Sequence, residues 1–287
     1  MGHGLGECGY HAAAIAFERQ AMMTRREFQQ TILAGAAGSL TAQAAGGLRI
    51  GVGLYTYHNF SIDDTITQLK MLKIQEIEMS RGDFMLFNHP KAEKFESFRK
   101  KIDDAGIRCV SFYAPTIKED KDLDEAIRFA RILGASNITG DPTGDILKRV
   151  DERLTREGLS FGIHNHFFKQ KFAYESPEDI LKALDGLSPT VGCTLDLGHI
   201  VSCGYDTLDA VHKLGPRLKL VHLKDIKAPG GEVNVPLGQG LGKIPQVMQE
   251  LSKINFKGLI AFEYEKEGDI NDDVRQQVEY ARKLAAR

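Results

Sequence analysis

Two apolar runs in the second half of the sequence lead directly into metal-capable, titratable side chains. The run at 191–195 is followed by Asp196, and the run at 218–223 contains His222 and is followed by Lys224. Both runs have the length and branching of buried β-strands. Imidazole and carboxylate groups bind divalent metals and also transfer protons near neutral pH. The pattern therefore predicts a metal or acid–base site at the ends of two strands.

These strands belong to an alternation of strand-like and helix-like segments that runs from residue 48 to the C-terminus. Eight strand–helix units fit into about 240 residues, close to the roughly 250 residues of a (β/α)8 barrel. The alternative is an open doubly wound sheet, but no glycine-rich phosphate loop follows the first strand. We predict an α/β protein with a single (β/α)8 TIM barrel over residues 46–287.

The carboxyl ends of the predicted strands carry most of the titratable candidates, and in such barrels these ends meet at one mouth. Five of the nine histidines lie at these ends. The candidates are His58, Glu78, His164, His166, Asp196, His199, His222, Lys224 and Glu263. Among them, Asp196, His222 and Glu263, with a fourth ligand from strand five, predict a site for one divalent metal ion.

Some residues near the predicted mouth also have a purely structural interpretation. His58 could cap a loop, and Glu78 could pair with an arginine. Glu265 is expected to be solvated, because charged residues follow it. Lys224 and Asp225 could form a plain ion pair.

Several apolar and loop residues leave similar alternatives open. Four aromatic residues could pack against a sugar ring or simply belong to the core: Tyr57, Phe112, Phe167 and Phe168. The loop at 226–242 is rich in Gly and Pro, follows strand seven and has a length that suits closure over a ligand. Cys109 and Cys193 lie inside predicted strands, so we expect them to be buried and inert.

Residues 1–45 are typical of an export signal. Arg25 and Arg26 precede a weakly apolar segment and an Ala-x-Ala site at 42–44, which is the order of a twin-arginine signal. An ordinary amphipathic helix is the alternative, and residues 1–21 are expected to be an upstream extension. We predict a periplasmic or otherwise exported protein. We expect no membrane anchor after cleavage, since no apolar run reaches the roughly 18 residues of a span.

The charge balance limits the partners. The net charge is −2, with 42% hydrophobic and 26% charged residues, which suits one large soluble domain. Nucleic-acid binders usually carry a basic patch, so we expect no nucleic-acid partner.

The motifs at the strand ends resemble those of the xylose isomerase-like barrels. The motifs are H-N-H at 164–166, D-x-G-H at 196–199, H-L-K-D at 222–225, and Glu263. The likeness covers Gly51 to the C-terminus. It implies that Asp196, His222 and Glu263 bind one divalent ion (Mn, Co, Zn or Mg). It also implies that His199 and Lys224 contact the substrate and favours a homo-oligomer, a dimer or a tetramer.

Strand five departs from the commonest pattern of these barrels. Many members have a glutamate where this chain has His164, and the inosose dehydratase branch looks similar. His164 and His166 face the same way by strand alternation. His164 would bind the metal while His166 reaches the substrate, although the reverse assignment is also open. Only Glu263 remains of the two glutamates that exchange protons in the epimerases, so a histidine would have to serve as the second group.

The resemblance implies an enzyme that removes a proton next to a carbonyl. We predict a metal-dependent isomerase or epimerase of a free sugar or keto-sugar, with Glu263 as base and His166 or His199 as acid. Lys224 would hold hydroxyl groups. His58 and Glu78 are further candidates for substrate contact. The alternatives are a lyase or dehydratase acting on a keto-sugar or keto-glycoside, and a sugar-binding barrel without catalysis. An endonuclease IV-like repair enzyme fits poorly.

Overall fold

The computed structural model describes residues 47–143 and 145–286. The predicted export signal at 1–45 lies outside the described residues and stays a prediction. Among the described helices, none is both long enough and apolar enough to cross a bilayer.

Eight parallel strands close into a barrel in which each strand pairs with the next along the chain and the last pairs with the first. This confirms the predicted TIM barrel. The strands are β1 (Arg49–Gly53), β2 (Glu76–Met79), β3 (Arg108–Tyr113), β4 (Asn137–Gly140), β5 (Ser160–His164), β6 (Val191–Asp196), β7 (Leu218–Leu223) and β8 (Leu259–Phe262).

Nine described α-helices follow the strands and cover the barrel. They are α1 (Ile62–Met71), α2 (Ala92–Asp104), α3 (Asp120–Leu133), α4 (Ile146–Glu157), α5 (Pro177–Ala183), α6 (Leu197–Ser202), α7 (Thr207–Leu214), α8 (Ile244–Lys253) and α9 (Asn271–Ala285). The short helix α6 was not expected from the sequence. It begins directly at the end of β6 because Asp196 caps it, accepting a hydrogen bond from the backbone of His199.

The first strand is shorter than its apolar run. The sequence suggests a strand over 48–57, but β1 ends at Gly53, and Leu54–Tyr57 forms a turn of 3-10 helix. This turn begins where the strand reaches the barrel mouth. Its backbone is tied to β2, because the amide of Tyr55 donates a hydrogen bond to the Ser80 hydroxyl over 3.0 Å.

The aromatic residues singled out by the sequence belong mostly to the core. Tyr57 and Phe112 are fully buried in the main hydrophobic cluster, and Phe167 is buried as well. Phe168 is 44% exposed. None of the four lines the cavity at the barrel mouth, so their interpretation as ordinary packing residues applies. Cys109 and Cys193 are buried, as predicted, and burial raises the pKa of Cys109 to about 12.

Candidate metal and active site

A cavity of about 150 Å³ opens at the carboxyl ends of the strands. Most of the residues predicted from the sequence meet there, and the cavity also has an apolar side formed by Tyr55, Met85 and Tyr113. The lining residues are Tyr55, Ser80, Met85, Tyr113, His164, His166, Gln170, Asp196, His199, His222, Lys224, Glu263 and Glu265.

A buried glutamate fixes the orientation of His222. Nε2 of His222 donates to Glu78 Oε2 over 2.5 Å, while Glu78 Oε1 accepts hydrogen bonds from Ser111 at 2.9 Å and Thr139 at 2.7 Å. Burial alone would raise the pKa of Glu78, but the charge and hydrogen bond of His222 and the two hydroxyls lower it. Glu78 therefore pairs with a histidine and not with an arginine. A carboxylate behind an imidazole is the usual support of a metal-binding histidine.

The other nitrogen of His222 faces a group of possible ligand atoms. Nδ1 of His222 lies 3.0 Å from His164 Nε2 and 3.6 Å from Asp196 Oδ2, and the last two atoms are 3.9 Å apart. Strand register produces this cluster, because Asp196 pairs directly with His222 across β6 and β7. Bonds of about 2.0–2.2 Å place neighbouring ligands on one ion at roughly these separations.

Glu263 follows β8 and lies at the edge of this group. Its Oε2 is 3.7 Å from His222 Nδ1 and 3.5 Å from Lys224 Nζ. Burial raises the pKa of Glu263 to about 7, against the opposing charges of His222 and Lys224. Gly53 makes room for this side chain, since a Cβ at residue 53 would come within 2.5 Å of Glu263 Oε1.

The surroundings of the two carboxylate oxygens of Asp196 show whether this cluster of side chains suits a cation. Oδ1 accepts the backbone N–H of His199 at 2.9 Å, but the buried Oδ2 accepts no hydrogen bond from any residue that the structure describes. Lys224 Nζ lies 3.2 Å from Oδ2 but is out of line for a hydrogen bond. A buried carboxylate oxygen without a donor is costly. Mixed imidazole and carboxylate ligands suit Zn, Mn or Co, so these residues fit a divalent cation.

The charges around the group agree with that interpretation. Burial lowers the pKa of His164 well below its usual value, and His166 and His222 add to the effect. Its ring is therefore neutral and offers a lone pair. Burial opposes protonation of His222, but the carboxylates of Glu263 and Glu78 outweigh it and raise its pKa. These carboxylates thus favour a positive charge at this position, whether a proton on His222 or a bound cation.

Lys224 and Glu265 form a pair inside the cavity wall. Lys224 is 2% exposed and donates to Glu265 Oε1 over 2.5 Å. Glu265 is therefore half-buried and paired with Lys224, whereas the sequence suggested a solvated residue. Burial would raise its pKa, but Lys224 lowers it.

Asp225 points away from Lys224, so the expected plain ion pair between them does not form. Its carboxylate accepts the backbone N–H groups of Gly238, Gly240 and Gly242 over 2.8–3.0 Å. These bonds tie the loop after β7 to the end of its own strand. The predicted loop on the catalytic face is thus anchored at its C-terminal half.

Two of the remaining predicted histidines differ in their surroundings. His199 lines the cavity, and neither ring nitrogen has a hydrogen-bond partner among the described residues; the nearest carboxylates are Asp196 at 3.9 Å and Glu232 at 3.7 Å. Burial lowers the pKa of His199 to about 3. His58 lies outside the cavity lining, where Nδ1 contacts the carbonyl of Tyr55 at 2.8 Å and the two rings stack.

Comparison of the sequence with protein-family models identifies the family of this chain. The model of the family described as "Xylose isomerase-like TIM barrel" matches residues 66–284. The chain belongs to the xylose isomerase-like TIM barrel family. This confirms the resemblance seen in the motifs at the strand ends.

Relatives of this barrel carry several different activities. An inosose dehydratase of Bacillus anthracis is 24% identical over 229 residues, which cover 71% of this chain and 74% of the relative. A D-allulose 3-epimerase from Methylomonas sp. superposes with a TM-score of 0.66 at 15% identity, covering 83% of this chain and 98% of the other. A sugar phosphate isomerase/epimerase from Parabacteroides distasonis gives a TM-score of 0.62 at 20% identity, covering 83% and 97%. The structural matches show a shared fold.

Three residues of this xylose isomerase-like barrel were not assigned a role from the sequence. Tyr113 and Asp141 lie at the ends of β3 and β4, and Gln170 lies in the loop after β5. All three contact His166: the Tyr113 hydroxyl at 3.3 Å, Asp141 Oδ1 at 2.8 Å and Gln170 Oε1 at 2.9 Å. The position of Asp141 at a strand end was the available signal. Gln170 lies in a loop and gave none.

Proposed function

We propose that this protein is a metal-dependent isomerase or epimerase of an uncharged sugar or keto-sugar. The observation that carries the proposal is the buried Oδ2 of Asp196, which accepts no hydrogen bond from the described residues. It lies near His164 Nε2 and His222 Nδ1, and Glu263 lies near the same nitrogen of His222. These four side chains would hold one ion. When bound, that ion would polarise a substrate carbonyl oxygen.

Glu263 is proposed as the base that removes a proton from the carbon next to the carbonyl. Of the two carboxylates among the proposed ligands, Asp196 is tied to the backbone N–H of His199, whereas no hydrogen bond from the described backbone holds the carboxylate of Glu263. Its pKa near 7 suits proton transfer at neutral pH. Lys224 lies 3.5 Å from Glu263 Oε2 and would hold the substrate oxygen that gains charge.

His199 is better placed than His166 to contact the substrate. Both ring nitrogens of His166 already have neighbours, Gln170 on one side and His164 and Tyr113 on the other. The nitrogens of His199 are free of hydrogen bonds to described residues, and its neutral ring can donate one N–H to the substrate. We therefore assign to His199 a hydrogen bond that orients a substrate oxygen, and to His166 a supporting role.

The charges of the cavity favour a neutral substrate. A phosphate or carboxylate group is normally held by arginine, free lysine or a helix N-terminus. Among the described residues, the lining contains no arginine and one lysine, Lys224, which already lies close to Asp196, Glu263 and Glu265. An anionic substrate would meet these carboxylates without a free cationic side chain to bind it.

One observation also favours a lyase or dehydratase. The strand-five position opposite Glu263 carries His164, whose nitrogens face His222 and His166. The other glutamate of the cavity, Glu265, is paired with Lys224. A single base suffices for elimination of water or an alcohol, whereas inversion at one carbon needs a proton donor on the opposite face.

Hydrogen–deuterium exchange with candidate substrates tests the proposal. The protein is loaded with Mn²⁺ or Co²⁺ and incubated in D₂O with free ketoses, aldoses and keto-sugars, and NMR follows loss of the signal next to the carbonyl. The same spectra separate an isomer from an unsaturated elimination product. We expect exchange with at least one neutral sugar and none with its phosphate ester.

Two variants assign the role of Glu263 in that assay. Glu263→Gln should reduce exchange by at least about 100-fold while the protein still folds. The matched control is Glu267→Gln, an exposed glutamate four residues further on, which should leave exchange unchanged. Full exchange in Glu263→Gln would refute the base. Metal binding without exchange of any sugar would favour a binding protein.

A further inference from the structure

A second unpartnered carboxylate oxygen lies beside the first group of ligand atoms. Asp141, at the end of β4, is 7% exposed. Its Oδ2 accepts the Tyr113 hydroxyl at 3.2 Å, but the buried Oδ1 accepts no hydrogen bond within the described part of the chain. No lysine or arginine of the described residues pairs with Asp141, so its charge lacks the counter-charge that a buried carboxylate needs.

A nitrogen close to this oxygen can also act as a hydrogen-bond acceptor. Nε2 of Gln170 donates to Glu232 over 2.7 Å, which turns its Oε1 toward His166 Nδ1 at 2.9 Å. His166 Nδ1 can donate its ring proton to Gln170, and in that neutral tautomer Nε2 presents its lone pair. That Nε2 lies 2.8 Å from Asp141 Oδ1, out of line for a hydrogen bond. Two acceptors in close contact require a positive centre between them.

A third ligand atom completes the arrangement. Nδ1 of His164 lies 3.1 Å from His166 Nε2. Asp141, His164 and His166 each offer one ligand atom within 4.8 Å of the others, and all three are buried. We infer that a second divalent cation binds between Asp141 Oδ1, His164 Nδ1 and His166 Nε2, next to the ion of the proposed function.

His164 would connect the two sites. Its Nε2 faces His222 and Asp196, and its Nδ1 faces the second site. A ring that binds through both nitrogens has lost its N–H proton, so filling both sites releases that proton to solvent. The inference goes beyond the proposed function, which needs one ion. A proton shared between Asp141 and His166 is the competing account.

Metal stoichiometry separates these accounts. The full chain is stripped with a chelator, dialysed against Mn²⁺ or Zn²⁺ in excess and then against buffer with a low free concentration, and its bound metal is measured by mass spectrometry. We expect two equivalents per chain. With Mn²⁺, electron paramagnetic resonance should show two coupled ions rather than isolated ones.

Substitution of Asp141 locates the second ion. Asp141→Asn should bind one equivalent and give the spectrum of an isolated Mn²⁺. The matched control is Asp145→Asn, an exposed aspartate nearby, which should keep two equivalents. His166→Gln serves as a second variant with the same expectation, and circular dichroism verifies that each variant is folded.

The possible outcomes distinguish failure of the second metal site from failure of the proposed function. One equivalent in the unmodified protein overturns the second site and leaves the proposed function standing. No bound metal overturns both. Two equivalents that persist in Asp141→Asn and His166→Gln also overturn the second site, because the extra ion then lies elsewhere.

Discussion

Strand β2 carries two buried glutamates on the same face, and the barrel uses them in different ways. Glu76 lies at the start of the strand, where Arg49 binds it at 2.7 and 2.9 Å and Arg108 at 2.6 Å. Glu78 lies two residues further on, where two hydroxyl groups and His222 satisfy it. The first sits at the amino-terminal face of the barrel, and the second at the mouth.

Glu76 and Glu78 differ in the positively charged group that pairs with them. Guanidinium groups stay charged at any relevant pH, so Glu76 and its arginines form a closed ion-pair cluster. Glu78 binds only Nε2 of His222, so Nδ1 of the same ring points toward Asp196 and His164. The amino-terminal end of β2 thus serves stability, while its other end positions a metal-capable nitrogen, as is general for this fold.

The largest expected effect comes from Asp196→Asn, which tests whether the mouth is a cation site at all. Asparagine keeps an oxygen for the backbone N–H of His199 but places an NH₂ group where Oδ2 accepts no hydrogen bond from the described residues. Metal affinity should fall at least about 100-fold and sugar exchange should vanish, with little change in the melting temperature. Metal analysis after dialysis measures this, and undiminished binding would remove Asp196 from the ligand set.

The next effect compares the two glutamates directly. Glu78→Gln should weaken metal binding by about 10- to 100-fold, because His222 loses its carboxylate support. Glu76→Gln should leave metal affinity unchanged and cost about 1–3 kcal/mol of stability, because two arginines lose part of their partner. Calorimetric metal titration and thermal melts of both variants measure the two quantities. Equal losses of metal affinity would show that the two ends of β2 are not independent.

The alternation of strands and helices was sufficient to predict the fold. In a closed barrel every strand end reaches the same mouth, so listing the residues at those ends also predicted which side chains meet. Asp196, His222 and Glu263 came together as expected, and His164 joined them from β5. The assignment of these residues as ligands stays a prediction until a metal is measured.

Pairings across the barrel interior could not be predicted. Glu78 and His222 are 144 residues apart in the chain and lie on strands that do not pair, so no local pattern links them. The charged residues after Glu265 suggested a solvated side chain, but Glu265 lines the cavity because it accepts a hydrogen bond from the buried Lys224. Asp225 depends on three loop glycines for its partners, and loop conformation is not encoded in periodicity.

The smallest expected effect concerns two glycines of β1. One lies toward the amino-terminal face of the barrel and the other at its mouth. A Cβ at Gly51 would collide with the backbone carbonyl of Glu76, whereas a Cβ at Gly53 would approach only the side chain of Glu263, at 2.5–3.0 Å. Gly51→Ala should therefore cost about 1–3 kcal/mol of stability. Gly53→Ala should slow sugar exchange about tenfold by displacing Glu263 while the melting temperature stays near that of the unmodified protein.

Thermal melts and exchange rates of both alanine variants decide this last point. A flexible carboxylate can move away from a new methyl group at low cost, but a backbone carbonyl in a paired strand cannot. Loss of stability in Gly53→Ala equal to that in Gly51→Ala would mean that Glu263 is held as rigidly as the backbone. Unchanged exchange in Gly53→Ala would mean that the position of Glu263 does not limit proton transfer, which would weaken its assignment as the base.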